Sequence, residues 1–262
     1  MLLRLIIITI ITIGGFIAEP PAYSVEKASY SIDMEPNLVT IDAGYNGAQV
    51  QVKGAIPEQM DLIIQIKGDS HDTDLLKKGH VLKLLWMNTR TITFKGLPQT
   101  YMLYLPETIT LSDLEKTPEL QKLKAGFVSL EQETTVTPAD EDKAFLFQEL
   151  FKLKTEEGVY TQQENAITYQ RLDGGMKSFA CKLAIPSRMK PGRYSVEIAL
   201  LNNKTLDHVE RRELEIREIG FPALISTLAF QHGPIFGILA TLIAIVAGFL
   251  MGVLFRGGKG GH

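Results

Sequence analysis

Hydrophobic and polar positions alternate in short runs over the first half of the chain. Tyr30–Met34, Val39–Asp42, Gln49–Lys53, Leu62–Lys67, Val81–Met87, Thr91–Phe94 and Tyr101–Leu105 are separated by turn formers such as Glu35-Pro36-Asn37 and Gly44-Tyr45-Asn46-Gly47. Period-two alternation in Gln49–Lys53 and Thr91–Phe94 predicts strands with one wet face, and the continuous apolar run Leu62–Ile66 predicts a central strand. About seven strands with regular turns predict an immunoglobulin-like β-sandwich over residues 25–107.

The period changes over residues 108–158, which read as an inserted helical segment. Ser112-Asp-Leu-Glu115 reads as a capping box. Ala144–Leu153 reads as an amphipathic helix with an apolar stripe through Phe147, Leu150 and Phe151, stopped by Gly158. The stripe is the kind that packs on the domain's own core. From 159 to 219 strands return: Phe179–Ile185 ends at Pro186, and Tyr194–Leu201 and Leu206–Arg217 flank Asn202-Asn203-Lys204 as a hairpin. Pro191-Gly192-Arg193-Tyr194-Ser195-Val196 has the spacing found at late strands of such sandwiches, where the Tyr packs at a sheet corner. Whether this hairpin completes the first sandwich or builds a second, smaller β domain stays open on pattern alone.

The two ends differ from everything between them. Met1 to Arg4, the uncharged Leu5–Ile13 and the small residues after it have the build of a secretory signal over residues 1–24. Ala22-Tyr23-Ser24 suits cleavage after Ser24, with Ala18 the alternative and an uncleaved anchor the rival reading. Residues 234–255 carry no charge, and at 1.5 Å per residue they are long enough to cross the hydrocarbon core. Arg256 and Lys259 follow, so the positive-inside rule leaves residues 256–262 as a cytoplasmic tail and exports the β-rich bulk. Residues 220–233 form a juxtamembrane helix, apolar on much of its circumference, that suits either the outer interface or a dock beneath the ectodomain. Gly248 and Gly252, four apart inside the span, are candidates for close helix pairing and hence for a homo-oligomer. Plain membrane-helix composition, in which Gly is common, is the reading that competes with pairing and is preferred to it.

Charge and chemistry narrow the picture further. A net charge of −3 with no basic block speaks against nucleic-acid binding. The single Cys181 makes no internal disulfide and excludes Cys-x-x-Cys chemistry. It reads as a small buried group in a strand, with an intermolecular disulfide or reactive thiol as alternatives. No hydrolase elbow, nucleotide loop or His-Glu-x-x-His occurs, and His71, His80, His208 and His232 are scattered. The cluster Asp69-Ser-His71-Asp72-Thr-Asp74 lacks the Gly and terminal Glu of a calcium loop and reads as a solvated turn. No enzyme, cofactor or metal site is therefore expected. The candidate interaction residues are Lys77, Lys78, His80, Trp86 and Asn88, although Trp86 reads first as a buried side chain of the sandwich core.

Asp61–Gly68, Trp86-Met-Asn88, Thr93-Phe94-x-Gly-x-Pro98 and Tyr101 resemble the first half of a known family. Phe147–Tyr160, Leu183–Pro186, Gly192-x-Tyr-x-Val-Glu197 and the final span resemble its second half. The family is the bacterial, mostly proteobacterial, Alph-Pro-TM group of transmembrane proteins. The resemblance implies a signal peptide, a periplasmic domain and one inner-membrane span with the C-terminus in the cytoplasm. It supplies no catalytic residues. Through gene context it implies a partner, a permease similar to the TauE/SafE sulfite exporters. Where family members carry an Arg-rich segment before the Trp, this chain has Leu76-Lys77-Lys78-Gly79-His80, so roles tied to those arginines do not transfer. The resulting expectation is a membrane-anchored accessory or interaction protein held in lipid by its C-terminal helix. The alternative is a periplasmic module that delivers a small anion or metal to a transporter, with Lys77, Lys78, His80 and the Asp69–Asp74 stretch as its ligand residues.

Overall fold

The computed structural model describes residues 30–81 and 85–255, and the side chains of all of these except 80, 81, 85 and 86. The expected signal segment and cytoplasmic tail lie outside the described residues. The fold is mainly β, with helices inserted after the seventh strand and an apolar helix at the C-terminal end.

Among the described residues the strands run in the order β1 (Ser31–Glu35), β2 (Leu38–Ile41), β3 (Ala48–Pro57), β4 (Met60–Lys67), β5 (Ser70–Val81), β6 (Leu85–Pro98), β7 (Tyr101–Pro106), β8 (Thr135–Thr137), β9 (Tyr160–Leu172), β10 (Met176–Ile185), β11 (Gly192–Asn202) and β12 (Thr205–Glu218). The helices are α1 (Leu111–Lys116), α2 (Pro118–Gln121), α3 (Phe127–Glu133), α4 (Lys143–Glu156), α5 (Gly220–Gln231) and α6 (Gly233–Phe255).

Nine strands form one sheet in the order β1-β3-β10-β9-β7-β4-β11-β12-β2. The two separate sheets expected of a sandwich are joined, because β7 pairs antiparallel with β4 on one side and parallel with β9 on the other. The sheet curls on itself. Ile32 of β1 and Val39 of β2, from its opposite edges, share one buried cluster with Leu62, Ile64, Ile66, Val196 and Ile198 from its middle. The kink at Pro36 separates the antiparallel pairing of β1 with β3 from the parallel pairing of β2 with β12. Arg212 on β12, the strand beside the β2 edge, donates to the Ile32 carbonyl of β1 at 3.3 Å, a bond across the closure of the curl. The late hairpin lies within this sheet, since β11 pairs with β4 in register from Ser195↔Lys67 to Asn202↔Met60.

Alternation sorts the central strands onto two cores. Leu62, Ile64 and Ile66 of β4 face the inside of the curl, whereas Ile63 faces a second cluster. In β11, Val196, Ile198 and Leu200 face inward and Ala199 and Leu201 face the second cluster. That second core is covered by α1–α4 and by a small sheet of order β5-β6-β8. Strand β10 has only one buried face, through Phe179, Cys181, Leu183 and Ile185. Tyr194 is buried at the start of β11 and donates its phenol to the Lys190 carbonyl at 2.7 Å, the corner arrangement that the Pro-Gly-x-Tyr spacing predicts.

Two expected boundaries move. The Asp69–Asp74 stretch is not a turn. It opens β5, which pairs with β6 along its length, so that Val81–Met87 and Thr91–Phe94 belong to one long hairpin. The first helix is capped by Thr110, with Asp113 completing the reciprocal box, two residues before the expected Ser112. Ile109 and Leu114, both buried, flank that cap as a hydrophobic staple.

Cys181 is 2% exposed, and burial pushes its thiol up to about 12. A buried thiol this far from ionisation is a poor nucleophile. Alkylation of the native protein at pH 8 is expected to label Cys181 at least ~100-fold more slowly than alkylation in denaturant, because opening must precede reaction. Rapid native labelling, read by mass spectrometry, would contradict this burial.

Candidate functional surfaces

The hairpin of β5 and β6 carries every residue outside the C-terminal helix that was singled out as a candidate contact. Lys77 donates to Glu141 at 2.6 Å. Arg90, two residues beyond Asn88 on β6, donates to Asp140 at 2.9 Å and to Glu141 at 3.2 Å. The guanidinium holds the Asp140 carboxyl below the usual carboxylate range, and the Arg90 pKa is raised in return by the Asp140 hydrogen bond. Lys77 is therefore committed to the acidic turn before α4. Lys78 and Asn88 are exposed and oppose each other across the hairpin. His80 and Trp86 are register partners, and their side chains lie outside the described residues. Asp72 accepts from the Gly96 amide and Asp74 from the Thr93 hydroxyl, so both acids brace the hairpin. Among the described residues no three His, Cys, Asp or Glu side chains converge as metal ligands.

The acidic turn also starts α4. Asp142 caps it by accepting from the Phe145 amide at 3.2 Å. Phe147 and Leu150 of α4 are buried in the second core, as the apolar stripe predicts, and Phe147 meets Phe94 of β6 edge-on at 5.3 Å. Phe151 stacks on Phe127 of α3 at 4.5 Å. Phe145 and Leu153 point away from this core. Between α4 and the hairpin runs a groove of about 380 Å³ lined by Leu75, Leu76, Lys77, Lys78, Ile92, Phe94, Phe145, Leu146 and Glu149. Its rim exposes Leu76 at 57% and Phe145 at 51%, beside Met87 at 51% on the same hairpin. Sequence reasoning found Lys77 and Lys78 but missed Arg90, Leu76 and Phe145. The pairing of Arg90 with the Asp140 turn bridges fifty residues, and no local signal announces it.

A polar chain runs from the surface into the second core. Arg211 donates to Glu197 at 2.9 Å, and the Gln65 amide donates to the other Glu197 oxygen at 2.9 Å. The Tyr101 phenol reaches Gln65 at 3.4 Å and accepts from the Gly126 amide at 2.6 Å. Burial raises the Glu197 pKa, but Arg211, Lys67 and Gln65 together outweigh it, and the net shift is downward. A carboxylate with a depressed folded pKa contributes stability that is complete above its unfolded pKa and is lost as pH falls through the folded value. Wild-type melting temperature is therefore expected to fall more steeply than that of Glu197→Gln as pH drops from about 5 to 3. Parallel acid limbs in the two melting profiles would refute the assignment.

At the membrane end, α5 exposes Phe221, Leu224 and Phe230, and α6 is a 23-residue apolar helix with no buried residue, in which Phe236 alone is half-buried. Pro234 sits in the first turn of α6, where its missing N–H costs nothing. His232 lies between the two helices. Gly248 and Gly252 are open: a Cβ at either would meet nothing within 4 Å. Thr241 bonds back to the Gly237 carbonyl at 2.9 Å, which satisfies its hydroxyl in an apolar setting.

No curated protein matches this sequence. The family profile described as "Putative transmembrane protein (Alph_Pro_TM)" matches residues 30–257, which takes in the curled sheet, the inserted helices, the hairpin–α4 groove and α6. The chain belongs to the Alph_Pro_TM family of transmembrane proteins.

Proposed function

We propose that this protein is a non-enzymatic accessory subunit of the bacterial inner membrane. It is anchored by α6 with its β domain in the periplasm, and it contacts an integral membrane permease through the groove between the β5–β6 hairpin and α4. The carrying observation is that groove: large apolar side chains, Leu76 and Phe145, stand exposed on walls fixed by the Lys77, Arg90, Asp140 and Glu141 network. Exposed apolar groups framed by charge are the usual build of a protein contact site. Orientation follows from Arg256 and Lys259 just past the span. A permease of the TauE/SafE kind is the partner that the family resemblance implies. Anchoring confines both proteins to one plane and raises effective concentration, so a contact of modest intrinsic affinity is populated.

The test is a gentle-detergent pull-down of the tagged, full-length protein from its native membrane, with mass spectrometry of what accompanies it. A polytopic permease recovered in near-stoichiometric amount supports the reading. Recovery of the protein alone, or only with other copies of itself, refutes it.

A further inference from the structure

Away from the groove, four cationic or donor side chains from separate parts of the chain meet around one cavity of about 230 Å³. Lys154 comes from the last turn of α4, Arg188 and Lys190 from the β10–β11 turn, and His71 from the start of β5. Gln99 and Thr100, on the β6–β7 turn, add neutral hydrogen-bonding groups. One carboxylate, Glu157, joins them, 3.4 Å from Lys154. Among the described residues Arg188, Lys190 and His71 have no carboxylate partner within salt-bridge distance. In a chain of net charge −3, three permanent cations facing one acid is a local reversal of sign. The turn that holds Arg188 and Lys190 is rigid, because the Lys190 carbonyl is pinned by the Tyr194 phenol and the Met189 amide bonds the Pro186 carbonyl at 3.1 Å. The backbone positions from which Arg188 and Lys190 reach the cavity are thus fixed by the fold.

We infer that this cleft binds a small tetrahedral oxyanion of the phosphate or sulfate class, through Arg188, Lys190 and Lys154 with His71 and Thr100 as further donors. The size fits the class. At ~30 Å³ per water, the cavity has room for an oxyanion with a few waters. It falls below the ~300 Å³ at which pockets for larger organic ligands begin. The charge fits too: Arg offers a planar fork and Lys a point charge, the two donor types that oxyanion sites combine. The Val159 amide bonds the Lys154 carbonyl and the Gln99 amide the Asp69 carbonyl, so neither of these two is free for a ligand. The same chemistry accommodates a free oxyanion or a phosphate in a lipid headgroup.

The test uses the full chain in nanodiscs of phosphatidylcholine, with equilibrium binding of inorganic phosphate and of sulfate. Saturable binding is expected, weakened by ~10-fold in Arg188→Gln and in Lys190→Gln, as loss of one charge-assisted bond implies. Both side chains are exposed and the corner uses only the Lys190 carbonyl, so these variants keep the fold. Glu157→Gln removes the one opposing charge and is expected to tighten binding, a sign that a merely damaged fold would not produce. If free anions do not bind but nanodiscs containing phosphatidic acid show binding that depends on Arg188 and Lys190, the source is the headgroup and the site stands. Failure of all three probes, or binding indifferent to both substitutions, overturns the inference.

Discussion

Phe147→Ala is expected to lower folding stability by ~3–5 kcal/mol, the largest effect of any single substitution argued from this structure. Phe147 is 1% exposed and stands where α4 meets β6. Its ring is edge-on to Phe94 of β6, tilted 5.4 Å from Phe151 of its own helix, and overlaid by the Lys143 ammonium at 5.4 Å. Truncation leaves a void between α4 and the small sheet, and the surroundings relax only partly. In melting temperature the loss corresponds to roughly 10 °C for a domain of this size. The functional consequence is specific: α4 is one wall of the groove, and the ring that fixes it to the hairpin is gone. Partner recovery should therefore fall together with stability. A melting temperature within ~2 °C of wild type would mean that α4 is not held by this ring.

The paired substitution Leu76→Asp with Phe145→Asp is expected to do the opposite. Both side chains are already exposed, so stability should stay within ~0.5 kcal/mol of wild type. Asp at position 145 falls in the first turn of α4, where a negative charge is favourable. The amide at that position keeps its bond to Asp142 because the bond is to the backbone. Contact with a partner should nonetheless collapse. Two apolar anchors worth ~2 kcal/mol each amount to a loss of ~1000-fold in affinity, if they act independently. Measured side by side, the two variants separate a groove that must be intact from side chains that must be apolar. A double variant that keeps its partner while remaining folded would remove the groove from the account.

The parts of this fold whose burial follows a simple rule were legible in the sequence. Gln49–Lys53 alternates because water lies on one side, Leu62–Ile66 is continuously apolar because core lies on both, and Tyr194–Leu201 passes from the first pattern to the second. The apolar stripe of α4 was legible for the same reason, at helical spacing. Strand β5 was not. Ser70–Val81 lies against β6 alone in the small sheet, and its register shifts between His71 and Thr73 and between Lys77 and Lys78. Each shift breaks the period of two, and Asp, Lys and His fill both faces because little of the strand is buried. Strand β9 was hidden similarly: over Tyr160–Leu172 only Tyr160 and Ile167 are buried. The sequence pattern does not single out the cap at Thr110, because Thr110 and Ser112 are both followed by an acid three residues on. The staple of Ile109 and Leu114 decides between them only in three dimensions. Joining two expected sheets into one depends on β7 pairing with β9 across the inserted helices, and no local pattern encodes that.

The surfaces divide in the same way. Lys77, Lys78 and Asn88 were visible as polar residues beside a Trp, but their partners were not. Lys77 meets Glu141 across sixty-four residues, so a side chain that reads as an open contact is a structural brace. The cationic cleft was not visible at all. His71, Lys154, Arg188 and Lys190 look unremarkable one by one, and only the return of the β10–β11 turn beside the end of α4 makes them neighbours. The membrane end was the reverse case. An uncharged run of twenty-two residues specifies its own surroundings by length and apolarity, and among the described residues none of it is buried.

The central claim is that the groove between the hairpin and α4 touches a membrane partner, and site-specific photocrosslinking in the native membrane reads that contact directly. A photoreactive residue would replace Phe145, Leu76 or, as a control, the exposed Lys122 of the inserted helical segment. The account predicts adducts to one polytopic permease from positions 145 and 76 and none from 122. Adducts from 122 alone, adducts only to other copies of this chain, or none from either groove position would contradict it.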